Sequence, residues 1–363
     1  MKNTIGSALT VTLFGESHGE AIGTVIDGLS PGIEVDMDYI RSKLAKRRPY
    51  GSIATKRREP DEPEFLSGVF NGYTTGTPLT LVIRNCDTKS EHYEDIKKMP
   101  RPSHADLTSW YKYAGFQDYR GGGHFSGRIT AALVAAGAIV MKALEKKNIY
   151  IGTHIKNCHG IEDREFANYK KDILTLADMN FPVLDETQAI AMEKEIAAAA
   201  SEGDSVGGIL ETAVINMLPG VGEPWFDTIE GMLSHSIFSI PAVKGIEFGA
   251  GFNMAAMRGS EANDRFRYED GKIVTVTNHN GGINGGITNG MPIIFRTAIK
   301  PTPSIYKAQE TVNLENKENT QLVIHGRHDP AIIHRARIVV DAVTAFTMAD
   351  LLTVRYGTDF FKE

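Results

Sequence analysis

Cysteine is scarce in this 363-residue chain: Cys86 and Cys158 are the only two. Two thiols cannot lay out the disulfide framework of a small secreted fold, so the pattern points to a reducing compartment. A basic excess is also lacking. The 39 Lys and Arg are outnumbered by 45 Asp and Glu, a net charge of −6, which argues against bulk attraction to nucleic acid. Long apolar runs are missing too. The longest, Ala131–Met141, has 11 residues, against the ~20 needed to cross a bilayer. At the N-terminus, Ala8–Phe14 breaks at once into Gly-Glu-Ser-His-Gly, which is no secretory pattern. The expectation is a cytoplasmic protein with no membrane or nucleic-acid partner, long enough to bury a substantial core.

What the chain does have is concentrated between Arg101 and Leu144. Arg101-Pro102-Ser103-His104-Ala105-Asp106 opens the stretch, and Gly121-Gly122-Gly123-His124-Phe125-Ser126-Gly127-Arg128-Ile129-Thr130 leads into Ala131–Met141. That run is apolar on every side, so as a helix it is buried all round. A glycine-rich turn before a helix presents free N–H groups to an anion, and the helix dipole assists. Ser126 and Arg128 add a hydroxyl and a fork donor at the same mouth.

Along the chain, Leu9–Phe14 and Ala21–Asp27 read as strands, and Asp36 caps a helix through Lys46. Ser67–Phe70 and Pro78–Arg84 read as a hairpin around Gly72–Thr77. Tyr150–His159, Ile209–Met217, Ala242–Phe248 and Pro292–Ala298 read as further strands. Glu186–Glu202 reads as an amphipathic helix, Phe226–Leu233 as a short one, and Gly259–Gly271 as a polar loop. A second apolar helix spans about Ala331 to Leu352.

One order of elements occurs twice. Pro31-Gly32 answers Pro219-Gly220, Thr74–Leu79 answers Ile287–Ile293, and Arg101–His104 before one apolar helix answers Arg327–Pro330 before the other. The repetition predicts an internal duplication, with halves of about 1–160 and 200–363 in a single domain. Each apolar helix would be covered by an antiparallel sheet, with the two helices packed together.

The motifs discriminate among chemistries. Gly15-Glu16-Ser17-His18-Gly19 matches a nucleophile elbow, but the elbow needs a helix next, and Ala21–Asp27 continues as strand. His18 is then either a general acid or a plain turn histidine. Arg47-Arg48, Arg57-Arg58, Arg101, Arg128 and Arg327 stand at turns and helix ends of an acidic chain, and together they favour a small polyanionic ligand. Asn278–Gly290 with Lys300–Ser304 could cradle a phosphate but fits no standard fingerprint. His154, Cys158 and His159 lack a second ligand pair, so no metal is expected. Asp329 is either a helix N-cap or a base shielded from water.

Taken in order, these stretches resemble the chorismate synthases. The carriers are Phe14–Gly19, Arg47-Arg48-Pro49, Arg57–Asp61, Arg101–Asp106, Tyr119–Gly123, Lys300-Pro301-Thr302 and Gly326–Pro330. The resemblance implies an α+β fold, a β-α-β sandwich with helices between two antiparallel sheets, in a homotetramer. It also implies FMN in the reduced form and the 1,4-elimination of phosphate from 5-enolpyruvylshikimate 3-phosphate. NADP is associated with the reduction, and with no reductase segment evident the flavin reductant is expected to be external.

Carried over by motif, His18 would protonate the leaving phosphate and His104 would stabilise charge on the reduced flavin. Asp329 would work with flavin N5 in removing the ring proton. Arg47, Arg48, Arg101, Arg128 and Arg327 would hold the anions of the substrate. Ser126, Ala242, Gly285, Lys300, Pro301, Thr302, Pro303, Ser304 and Arg327 would contact FMN. The chain departs from the family at His124, Phe125 and Ile129, where arginine, serine and glutamate are usual. A flavin-binding sensor or scaffold of the same fold, without turnover, is the alternative, and the intact His18, His104 and Asp329 argue against it.

Overall fold

The computed structural model describes residues 2–48, 60–86, 97–324 and 328–362. Lys56, Arg57, Arg58 and Arg327 lie outside them. In the first half, β1 (Thr4–Ile5), β2 (Thr10–Gly15), β3 (Ala21–Asp27), β4 (Pro63–Ser67) and β5 (Leu79–Arg84) form one antiparallel sheet in the order β1-β2-β3-β5-β4. In the second, β6 (Tyr150–Cys158), β7 (Ile161–Glu162), β8 (Gly208–Ile215), β9 (Val243–Phe248) and β10 (Ile293–Ile299) form another, ordered β9-β10-β8-β6-β7. β10 shows why these segments are strands. Ile293, Phe295, Thr297 and Ile299 are buried while the residues between them are half-buried, a period of two in β-branched and aromatic side chains.

The helices are α1 (Met37–Arg47), α2 (Asp106–Tyr113), α3 (Thr130–Lys146), α4 (Tyr169–Asp178), α5 (Glu186–Ser201), α6 (Ile229–Ile237) and α7 (Ile333–Tyr356). α1 starts as expected, with the Asp36 carboxylate accepting from the Tyr39 N–H at 3.0 Å. α3 lies on the first sheet, α7 lies on the second, and the two pack against each other. Their closest approach is set by Gly137, where a β-carbon would stand 2.5 Å from the Ala342 Cβ. Every residue of Ala131–Met141 is buried. The stretch Gly127–Lys146 contains an 18-residue window with the mean hydropathy, 1.5, of a membrane span, yet 89% of that window is buried inside the protein. Its apolarity is used in packing. The result is the α+β sandwich of sheet, helices and sheet.

The two halves repeat a bonding pattern as well as an order. The Gly32 N–H donates to the Thr74 carbonyl at 2.8 Å, the Thr74 hydroxyl donates to Ser30 O at 2.6 Å, and it accepts from the Ile33 N–H at 2.9 Å. In the second half the Gly220 N–H donates to the Thr288 carbonyl at 2.8 Å. The Thr288 hydroxyl donates to Leu218 O at 2.6 Å and accepts from the Val221 N–H at 3.0 Å.

Three elements differ from expectation. β5 pairs with Pro63–Ser67 instead of Ser67–Phe70, and Val69–Phe70 makes its own ribbon with Tyr73–Thr74. Gly259–Gly271 is not simply a loop. It holds a helical turn, Gly259–Ala262, and a strand, Phe266–Glu269, paired with Lys272–Thr275 across Asp270-Gly271. Both turn residues have positive φ, the requirement that Asp-Gly meets, but the charged flanks hide the strands. The last helix begins at Ile333 instead of Ala331 and runs on to Tyr356, where Gly357 ends it at φ +84°.

Candidate active site

The glycine turn at the mouth of α3 lies between two imidazoles. Gly121, Gly122 and Gly123 have φ of +59°, +86° and +53°, a run that side chains resist. A β-carbon on Gly121 would stand 2.2 Å from His18 Cε1, and one on Gly122 would stand 3.4 Å from His104 Cε1. His18 comes from the turn between β2 and β3, which is tied to the glycines by the Ser17 N–H donating to Gly123 O at 3.1 Å. Asp118 pairs with Arg120 at 2.8 Å, and this pair, helped by the nearby His18, holds the Asp118 carboxyl below its ordinary range.

The family departures at 124 and 125 have local explanations. His124 Nδ1–H donates to the Gly15 carbonyl at 2.8 Å, so it fastens the turn to β2. Phe125 meets the Tyr113 ring edge-on at 6.1 Å. Ser126 caps the next turn, its hydroxyl accepting from the Arg128 N–H at 3.3 Å.

Arg101 and the segment Lys300–Ser304 meet beside His104. Arg101 Nη1 donates to Ser304 Oγ at 3.2 Å, and Lys300 Nζ donates to the Ser103 carbonyl. Ala242, at φ +74°, accepts the Lys300 N–H through its carbonyl at 2.9 Å. A cavity is lined by His104 itself with Asp106, Gln117, Asp118, Gly122 and Phe125. Buried polar atoms around this region have no protein partner among the described residues: Thr302 Oγ1, Gln117 Oε1 and His328 Nε2. Such atoms are costly unless a ligand or water satisfies them. Together with the Lys300 ammonium at the Ser103 carbonyl, these groups fit a polar anionic cofactor such as FMN. Burial and the charge of Arg101 push His328 below the ordinary imidazole range, and its ring lies 5.3 Å from that of Tyr306.

Arg47 and Arg128, like Arg101 with Asp106, are already held by a carboxylate. Both are buried, and Asp61, 2% exposed, pairs with each. Arg128 Nε also donates to Asn85 Oδ1 at 2.9 Å, while Arg47 Nη2 donates to Gly127 O at 2.7 Å. They clamp the start of α3. Asp329 pairs with Arg335, whose Nε donates to the Arg47 carbonyl at 2.7 Å. The N-cap of α7 is Ile332, with no side-chain cap, so Asp329 is not the helix cap. Arg48 is exposed and donates to Pro60 O. Gly285 sits in the turn of the ribbon Ile283–Asn284 with Ile287–Thr288, and a β-carbon on the next residue, Gly286, would meet Thr228. Among the described residues no cluster of His, Cys, Asp and Glu has metal-binding form.

Sequence reasoning missed Asp61, Asp106 and Arg335. Asp106 stood inside a motif already singled out, two residues after His104, which was the available signal. Asp61 likewise ended the stretch Arg57–Asp61, but its pairing with Arg47 and Arg128, and the place of Arg335, become visible only once distant segments are brought together.

This architecture gathers two imidazoles, buried guanidinium groups and carboxylates around a glycine turn, the kinds of side chain an acid–base enzyme uses. A family model for chorismate synthase matches residues 9–353. Chorismate synthase of Pyrococcus abyssi is 49% identical over 350 residues, covering 96% of this chain and 97% of that one. The enzyme of Thermococcus kodakarensis is 47% identical over 350 residues, with coverage of 96% and 97%. A crystal structure of chorismate synthase superposes with a TM-score of 0.78 at 29% identity, covering 98% of this chain and 95% of the other. The chain belongs to the chorismate synthase family, carbon–oxygen lyases of aromatic biosynthesis.

Proposed function

We propose that this chain converts 5-enolpyruvylshikimate 3-phosphate to chorismate by eliminating phosphate, with reduced FMN bound. In the reaction the C–O bond to phosphate breaks with its electron pair, a ring C–H loses its proton, and the C–H pair becomes the new double bond. No electrons are gained or lost overall. Reduced FMN, when bound by the residues named below, would be the source of electron density for this loss of phosphate.

The protein's part is to bind, orient and move protons. His18 protonates the departing phosphate, His104 offsets negative charge beside the glycine turn, and Asp329 takes up the ring proton. Arg48, Arg101 and Arg327 take the carboxylates and phosphate of the substrate. Arg47 and Arg128, with Asp61 between them, contribute positive charge and shape from behind. Ser126, Ala242, Gly285, Arg327 and Lys300–Ser304 hold FMN. A single observation carries this reading: His18 against Gly121 and His104 against Gly122, with Arg101 joined to Ser304 alongside.

The protein works as a cytoplasmic homotetramer, fed with reduced flavin by an external, NADP-linked reductant. Exposed Phe116, Trp225, Phe226 and Phe252 supply apolar surface for subunit contacts. The test is anaerobic incubation of the protein with substrate and FMN, oxidised or chemically reduced. Chorismate and phosphate should appear in equal amounts with reduced FMN and not with oxidised FMN. Folded protein that yields neither product with reduced FMN would overturn the proposal.

A further inference from the structure

The carboxylate of Asp106 is the most heavily used acceptor near the glycine turn. Oδ2 accepts from the Arg101 backbone N–H at 3.0 Å and from Arg101 Nε at 2.7 Å. Oδ1 accepts from Arg101 Nη2 at 2.9 Å and lies 2.6 Å from His104 Nδ1. Asp106 is also the first residue of α2, where the helix dipole favours a negative charge. Burial works against that charge, but the bonds from Arg101 and His104 outweigh it and hold the carboxyl well below the usual range.

An ionised oxygen and a bare imidazole nitrogen would repel at 2.6 Å, so the hydrogen between them belongs to Nδ1. Arg101 Nη2 also stands 3.0 Å from that nitrogen, and a donor there favours the opposite tautomer. The shorter carboxylate contact decides between them. Nε2 is then the edge left over, and it lies 3.7 Å from the β-carbon position of Gly122.

We propose that Asp106 is the positioning residue of this site: it keeps a proton on His104 Nδ1, so that any proton exchanged by His104 passes through Nε2, on the edge facing the glycine turn. By gripping Arg101 as well, it sets that fork toward Ser304 and couples the histidine to the segment Lys300–Ser304. The inference rests on the role given to His104 in the proposed reaction. Its nearest analogy in physical terms is a carboxylate that fixes the tautomer of a catalytic histidine, where a carboxamide in its place selects the wrong one.

The experiment is nitrogen NMR of the full-length protein labelled with 15N-histidine, with the His104 ring signals identified by their loss in His104→Gln. Wild-type protein should show the neutral ring protonated on Nδ1. Asp106→Asn should move that proton to Nε2, because the amide can donate to Nδ1, and should lower kcat about 10²- to 10⁴-fold. Asp106→Glu, which restores the carboxylate, should recover part of the rate and the Nδ1–H signal.

A wild-type ring protonated on Nε2 alone, with Nδ1 bare, overturns the inference, whether or not the asparagine variant folds. So does an asparagine variant with the tautomer switched and kcat within about threefold of wild type, if His104→Gln is inactive. If His104→Gln is itself fully active, the role given to His104 fails, and the tautomer measurement still judges Asp106 separately.

Discussion

The His18 ring occupies the space that a side chain on Gly121 would need. A β-carbon there would be 2.2 Å from Cε1 and 2.4 Å from Nδ1 of the imidazole. Neither group can yield freely, since His18 is 7% exposed and Gly121 holds φ +59°. The glycine is there for the histidine.

Gly121→Ala should therefore displace His18 and lower kcat by about 10²-fold or more, because small misplacements of catalytic groups cost that much. Gly122→Ala adds only an ordinary 3.4 Å contact to His104, with the left-handed strain of about 1–2 kcal/mol common to both variants. Steady-state rates and melting temperatures of the two variants check this. Equal rate losses would show that strain, and not the imidazole contact, governs the turn.

Asp329→Asn should lower single-turnover chorismate formation about 10²- to 10⁴-fold, the usual effect of losing a proton acceptor. Substrate affinity should stay within a few-fold. The pair with Arg335 sets the competing expectation. If Asp329 serves only as that partner, the variant should lose stability and keep activity within a few-fold of wild type.

A third expectation concerns acid stability. His334 is wholly buried in the first turn of α7, and neither ring nitrogen has a partner among the described residues. Burial, with the adjacent Arg335 adding repulsion, pushes its pKa down to about 4. The unfolded chain, with an ordinary imidazole near 6.5, binds the extra proton first. Stability is thus full above about pH 6.5 and falls as the pH drops toward 4, by about 3 kcal/mol at most from this group. His334→Leu should remove this part of the acid dependence in denaturant titrations at pH 7 and 4.5. An unchanged difference between the two pH values would show that His334 does not carry it.

Most of the frame was legible in the chain because burial imposes period and composition. Ala131–Met141 could only be a core helix, and alternating Ile, Val and Thr could only be half-buried strands. The repeated order of Pro-Gly, Thr74–Leu79 and Ile287–Ile293 was legible, but the bonds of Thr74 and Thr288 to the Pro-Gly turns, 42 and 68 residues away from Gly32 and Gly220, were not. The Phe266–Thr275 hairpin reads as a polar loop in the sequence: Phe266 and Tyr268 do alternate with Arg267 and Glu269 ahead of Asp270-Gly271, but the strands are short, charge-rich and mostly exposed. Nor was the commitment of Arg47 and Arg128 to Asp61 legible, since it depends on a fold that brings residues 47, 61 and 128 together. Arginine in sequence shows capacity for an anion; only geometry shows which anion it already holds.

The central claim is an elimination in which reduced FMN is required and returned unchanged. The direct measurement is anaerobic chorismate formation with FMN reduced once and then present in amounts far below the substrate. Many chorismates should form per flavin while the absorbance of oxidised flavin stays flat. One chorismate per flavin, with oxidised FMN accumulating in step, would contradict the account.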